Sequence, residues 1–375
     1  MSEYQYYEFA AIDGPISDEG LNYAKGCSSR AEVSRLSWRN VYHFGSFKGS
    51  EATLLKYYDA HFFIANWATA RLVLALPEGC LSAEAIEPYL RGGDQYEDTL
   101  TTKQLGNRRL VWFEHNEDGG WWDKQGEGVL DRLLPIREDL IRGDHRSLFL
   151  AWLADFDPDE WTDPADEGVL MPPIPAGLNR LTTALTVFLK HFAVDPDALT
   201  VAAEFSPGPP PEPIPISEVL EEMPVAQMRT LLERVADGEG SSVMAELNRL
   251  TYTQPDPSSG PSLSCVEFAS RILKVRRARL DQEAESARER RQRQAEARRQ
   301  HLAAVMQRAD AIWTRVEELV DQRTSAAYDE AATKLEELRD AHVQEGATPG
   351  FQERLAAFRE QHRRRPGVLG RIKNL

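Results

Sequence analysis

Apolar and polar positions change rhythm along this chain, and each change marks a different kind of structure. In the first third they alternate or gather in short runs. Residues 4–12 (YQYYEFAAI) are aromatic and suit a pleated, half-buried surface. Pro15 ends that run, and Ser17 or Asp18 can cap a short helix to about Lys25. Between 36 and 44, Leu36, Trp38, Asn40, Tyr42 and Phe44 alternate with Ser37, Arg39, Val41 and His43. Gly45 and Gly49 break the pattern, and Ser50 can cap a helix over 51–59. Strands 61–67 and 71–76 meet across a tight turn, 82–90 is a third short helix, and 99–105 and 109–114 flank Gly106-Asn107, a hairpin signal. The order β-α-β-α-β-β-α-β-β predicts the α+β class. It is closest to an elaborated ferredoxin-like sandwich, with helices on one face of an antiparallel sheet.

The rhythm then turns helical. Gly119-Gly120-Trp121-Trp122 reads as a loop, followed by helices over 129–142 and 145–156 and an acidic loop over 155–167. A helix over 176–192 carries Leu178, Leu181, Leu185, Phe188 and Phe192 on one face. Residues 206–217 hold six prolines and predict a stiff, extended spacer. Residues 218–250 read as a helix pair broken at Asp237-Gly238-Glu239-Gly240, and 251–264 as a second linker.

Residues 265–323 contain neither Gly nor Pro and predict one unbroken helix, roughly 90 Å long. From Leu302 the apolar positions Leu302, Val305, Ala309, Ile312, Val316 and Leu319 form a heptad seam, the signature of a coiled coil. Traced backwards, that line meets Arg298, Ala295, Arg291, Arg288, Ala284 and Asp281, so the seam fails there. Beyond 323 the same spacing recurs at Tyr328, Ala331, Leu335, Leu338 and His342, then at Phe351, Leu355, Phe358 and His362, with a last apolar turn at Val368, Leu369, Ile372 and Leu375. The expected organisation is an acidic α+β domain over 1–118, a helical domain packed on it over 119–205, the spacer 206–217, the helix pair 218–250 and the linker 251–264. The long charged helix 265–323 and a C-terminal helical module over 324–375 complete it.

Charge sharpens this division. Residues 271–375 carry 23 Lys and Arg against 17 Asp and Glu, whereas the remainder carries 21 against 43. An acidic body repels polyanions, so any nucleic-acid contact belongs on the tail. Three scattered cysteines, Cys27, Cys80 and Cys265, fit a reducing cytoplasm without disulfides. The start MSEYQYYEF lacks a signal-peptide pattern, and the apolar run 61–77 is too short and too polar for a membrane span.

Candidate chemistry is sparse. Arg271, Lys274, Arg276, Arg277, Arg279, Arg288, Arg290, Arg291, Arg293, Arg298 and Arg299 suit a phosphate backbone or an acidic partner, although acids at helix spacing also fit a solvated helix. Tyr4, Tyr6, Tyr7, Phe9, Trp38, Tyr42 and Phe44 could stack bases if the sheet face were open; Glu3 and Glu8 beside them favour core packing. Asp155, Asp157 and Asp159 have the opening spacing of a calcium loop, but Glu160 stands where the turn glycine belongs. No histidine pair has zinc spacing, and no P-loop, G-x-S-x-G or G-x-G-x-x-G is present. No catalytic residue and no cofactor is expected.

The opening YQYYEFAAID with its following proline, and FKGSEATLLKYYDAHFFIANW after it, resemble a bacterial protein family of no assigned activity that shares this start. The closing YDEAATKLEELRDAH and FQERLAAFREQHRRRPGVLGRI resemble helical ends of some bacterial SWIM-type zinc-finger proteins. The SWIM ligands, C-x-C followed by C-x-H, are absent, so no metal or DNA role carries over. The resemblance implies a bacterial origin and transfers no site residue.

The expectation is therefore a non-catalytic cytoplasmic scaffold or adaptor, monomeric or weakly dimeric, that binds a protein partner. Its contact residues would be Leu302, Val305, Ile312, Trp313, Val316 and Leu319, an apolar seam for a partner helix or for the C-terminal bundle. Six positions are too few to hold a dimer alone and favour packing within the chain. The alternative is a nucleic-acid-associated factor reading phosphates through 271–299. A third is a metal-dependent or cysteine hydrolase using the aspartate loop, or Cys27 or Cys80 with a histidine.

Overall fold

The computed structural model describes every residue except 1–2, 92–98, 118–119, 121–124, 210–211 and 253–262. The predicted 119–122 loop, apart from Gly120, most of the 251–264 linker and two spacer prolines thus lie outside the described residues. Contacts group the chain into two compact units, Met1–Arg276 and Arg277–Leu375. The described residues of 119–252 fall in the first unit, with the sheet.

The first unit is built on β1 (Gln5–Ala10), β2 (Glu32–Val33), β3 (Ser37–Tyr42), β4 (Ala60–Ala65), β5 (Thr69–Pro77), β6 (Leu100–Leu105) and β7 (Arg108–Asn116). Among the described residues they form a seven-stranded sheet in the order β2-β3-β1-β4-β5-β7-β6. Every neighbouring pair is antiparallel. The α+β class holds. Between these strands lie α1 (Asp18–Cys27), α2 (Glu51–Leu54) and α3 (Ala83–Ile86), whose first turns are closed by Ser17, Ser50 and Ser82 accepting from Gly20, Thr53 and Ala85. At the β6–β7 hairpin Gly106 takes φ 61°, which its lack of a Cβ permits at the first central position of the turn.

Strand alternation sorts the core into two layers. Phe62, Ile64, Leu72, Leu74, Leu76, Val111 and Phe113 face one cluster. Tyr7, Phe9, Trp38, Phe63, Val73 and Ala75 face the other. The second cluster is closed by Ala24, Cys27, Leu54, Leu55 and Tyr58, from α1, α2 and the turn after it. The first is closed by α4 (Val129–Leu133), α5 (Pro135–Arg142), α6 (Arg146–Ala154), α7 (Thr183–His191) and α8 (Pro196–Phe205). Helices thus cover both faces, not one as expected: the central strands are apolar on both sides, and each side needs a lid.

The helix expected over 176–192 starts only at Thr183. Pro172, Pro173 and Pro175, with Gly177 at φ 80°, keep the chain irregular until Thr182 accepts from the Leu185 amide at 3.3 Å. The expected helix pair is three helices, α9 (Ile216–Glu222), α10 (Val225–Ala236) and α11 (Gly240–Leu250), because Pro224 breaks the first.

The long helix is also shorter than expected. α12 spans Cys265–Gln307; Arg308 leaves helical geometry (φ −107°, ψ 15°), and α13 runs over Ala309–Asp321. With α14 (Ser325–Gln344), α15 (Thr348–Gln361) and α16 (Pro366–Arg371), α13 and the end of α12 enclose the core of the second unit.

Candidate functional site

Along α12 one helix meets three environments. At its start Cys265, Phe268, Ala269 and Ile272 are buried in the first unit's core. Four residues on, Arg276 holds Asp195 at 2.7 Å and lies 3.9 Å from both Asp159 and Asp197. That guanidinium is committed within its own unit and is not available to a phosphate.

From 277 to 300 no residue is buried. Arg277 pairs with Asp281 and Arg279 with Glu283, while Arg293 reaches back to Glu289 at 3.1 Å. Arg298 crosses to Asp340 at 2.5 Å. Arg288, Arg290, Arg291 and Arg299 make no side-chain ion pair among the described residues. At 100° per residue Arg288, Arg291 and Arg299 fall within about 80° on one side of the helix. Asp281, Glu285, Glu289 and Glu296 fall within about 80° beside them. The stretch is striped, a basic line next to an acidic one.

Past 301 the helix turns apolar. Leu302, Val305, Trp313, Val316 and Leu319 are buried, but Ile312 is only half-buried. The break at Arg308 causes this change of register, since it rotates α13 so that Trp313 enters the core ahead of Ile312. The indole lies 6.0 Å from the Phe351 ring and 5.9 Å from the Phe358 ring, and the Arg354 guanidinium covers it at 5.0 Å.

The aspartates of the expected calcium loop separate into different tasks. Asp155 accepts from the Thr99 amide at 2.8 Å and from its hydroxyl. Asp157 caps a short turn through the Asp159 amide at 2.9 Å, and Asp159 is largely exposed. Among the described residues no group of three or more His, Cys, Asp or Glu is placed to hold a metal ion. The aromatic strand residues Tyr6, Tyr7, Phe9 and Trp38 are buried and cannot take a base. Burial raises the Cys27 and Cys80 thiols above their ordinary value, the opposite of an activated nucleophile.

One constellation was hidden from sequence reasoning. Arg71, the cation inside an apolar run, bonds Glu51 at 2.7 Å and Glu114 at 2.5 Å, under the rings of Phe63 and Trp112. His61, fully buried and stacked on Phe9 at 4.0 Å, points Nδ1 at the Glu8 carbonyl (3.0 Å) and lies 3.6 Å from Glu51, too far for a hydrogen bond. Burial pushes the Glu51 carboxyl up, but His61 and Arg71 outweigh it and bring it down to about 2. The only signal in sequence was the charge itself at Arg71.

No family model, curated protein or solved structure matches the chain. Among the described residues no helix is long and apolar enough to cross a membrane.

Proposed function

We propose that this protein is a non-catalytic bacterial adaptor, monomeric in the cytoplasm, that engages a protein partner through the striped stretch of α12. One observation carries the reading: the apolar seam lies in the core of its own unit, whereas 277–300 bury nothing. A helix with no apolar contact is held by its i,i+4 pairs, worth about 0.2–0.5 kcal/mol each. Its surface offers charge, and charge gives specificity and association rate. The helical module then supplies a second, independently packed body. In the sheet, β3 and β4 run on either side of β1 and α2 lies between them in the chain, a split β-α-β unit that supports the ferredoxin-like reading of its centre.

The stripes favour a protein over a polyphosphate. A partner with complementary stripes meets both lines, whereas a phosphate backbone is repelled by Asp281, Glu285, Glu289 and Glu296. The unpaired line of Arg288, Arg291 and Arg299 supports the second reading, a nucleic-acid accessory factor. A photo-cross-linking residue at Ala295, which sits on that line, separates the two. The adaptor reading expects a protein adduct in the native host that survives nuclease and disappears in R288E/R291E/R299E. An adduct removed by nuclease, with duplex affinity falling about 0.9 log units per log unit of salt for each phosphate, would replace it with the second reading. No adduct at all would end both.

A further inference from the structure

Away from α12, a cavity of about 350 Å³ opens beside the end of α5, lined among others by Asp139, Arg142, Arg180 and Tyr252. Its size is in the range that holds a small organic molecule. Gly143 ends α5 in the left-handed conformation (φ 92°), and the chain folds back so that the Asp144 amide donates to the Asp139 carbonyl at 2.8 Å. That turn brings Arg146 to the cavity, but most of its guanidinium is engaged within the chain. Nε and Nη2 bond the Asp144 carboxylate at 2.6–3.0 Å, and Nη1 donates to the Arg180 carbonyl at 3.2 Å.

What remains is unsatisfied. The Arg142 and Arg180 side chains make no hydrogen bond or ion pair among the described residues. Asp139 Oδ2 is buried with no hydrogen-bond partner. The buried orphan oxygen calls for a partner, and the two guanidinium groups at the cavity are left to solvent by the described residues. We propose that this cavity binds an oxyanion, a phosphate or carboxylate group on a small organic molecule, held between Arg142 and Arg180 with protonated Asp139 donating a hydrogen bond to it. Guanidinium forks match such oxygens in geometry and charge. Carboxyl and ligand share a proton that an ionised Asp139 would lack, and ionised it would repel the ligand.

The surroundings favour that proton. Burial first, then the Asp144 charge, push the Asp139 carboxyl up to about 6, while Arg146 and Arg142 pull it down and Glu138 adds a small push. Tyr252, itself pushed up to about 12 by burial, stays a neutral hydroxyl in the lining. Glu212 and Arg180 line the cavity from exposed positions and Arg142 from a half-buried one, so its described lining carries Arg142, Arg146 and Arg180 against Asp139, Asp144 and Glu212.

Sulfate is the probe, because it does not titrate in this range and any pH dependence then belongs to the protein. Calorimetric titration of the full chain at about pH 5 and about pH 8 should show tighter binding at the lower pH, by up to about a hundredfold. Asp139→Asn, which keeps a donor, should bind with the pH dependence gone. Arg180→Gln, at an exposed position that leaves the fold intact, should lose binding at both. Repeating the titration with inorganic phosphate and with succinate assigns the preferred group. Absent binding in the millimolar range, or binding that Arg180→Gln leaves unchanged, would overturn the proposal.

Discussion

The two units solve the same burial problem with different materials. The first closes a sheet on both faces and takes charged side chains inside with it: Asp59, His61, Arg137, Asp144 and Arg146 are all buried. The second closes helices over an apolar seam, and His362, 2.7 Å from Glu317, is its one buried polar side chain among the described residues. A buried charge tolerates no loss of its partner. The first core should therefore be brittle and sensitive to pH, and the second should answer mainly to volume.

Arg137 tests the first half of that contrast most severely. It is 2% exposed, donates to the Ala75 carbonyl at 2.8 Å and holds Asp13 at 2.5 Å. Arg137→Ala should cost about 3–5 kcal/mol by chemical denaturation. In the second unit, Leu319→Ala should cost about 2–5 kcal/mol. Amide exchange should then quicken over α13–α16 while β4 and β5 stay protected. Ile312→Ala, half-buried beyond the break at Arg308, should cost only about 1–2 kcal/mol. An equal cost at both positions would return α13 to the uninterrupted heptad register.

Acid gives the next contrast. The native Glu51 carboxyl lies at about 2, below its unfolded value, so its contribution is complete above about pH 4.5 and is lost as pH falls toward 2. That amounts to about 3 kcal/mol. His145, which burial lowers to about 4 against the pull of Asp144, adds a loss over the window from about 6.5 downward. Glu51→Gln should flatten the acid limb of a pH–stability curve followed at first-unit amides. Smallest of all, R288Q/R291Q/R299Q should change stability by less than about 0.5 kcal/mol, since these exposed side chains make no ion pair or hydrogen bond among the described residues.

Local signals in the sequence carried far. Alternation located the main strands, and Ser17 and Ser50 marked two helix starts, because both depend on neighbours in the chain. β2 went unread since Glu32–Val33 is too short to show a period and exists only by pairing with β3. Strand order and the second helical layer were hidden because they are set by packing between distant segments. The break at Arg308 has no Gly or Pro to announce it, and the place of Trp313 against Phe351 and Phe358 is set by packing between separate helices. The Arg142–Arg180 cavity joins residues of no common motif, so only the fold could bring them together.

The most direct test asks whether the striped stretch is open in the isolated protein and covered at work. A cysteine at Ala295, in a Cys80→Ser background, should react rapidly with a maleimide in the purified chain and slowly in native-host lysate treated with nuclease. The R288Q/R291Q/R299Q change should restore rapid reaction in lysate. Equal labelling in both settings, or protection that survives removal of the three arginines, would contradict a partner seated on that face.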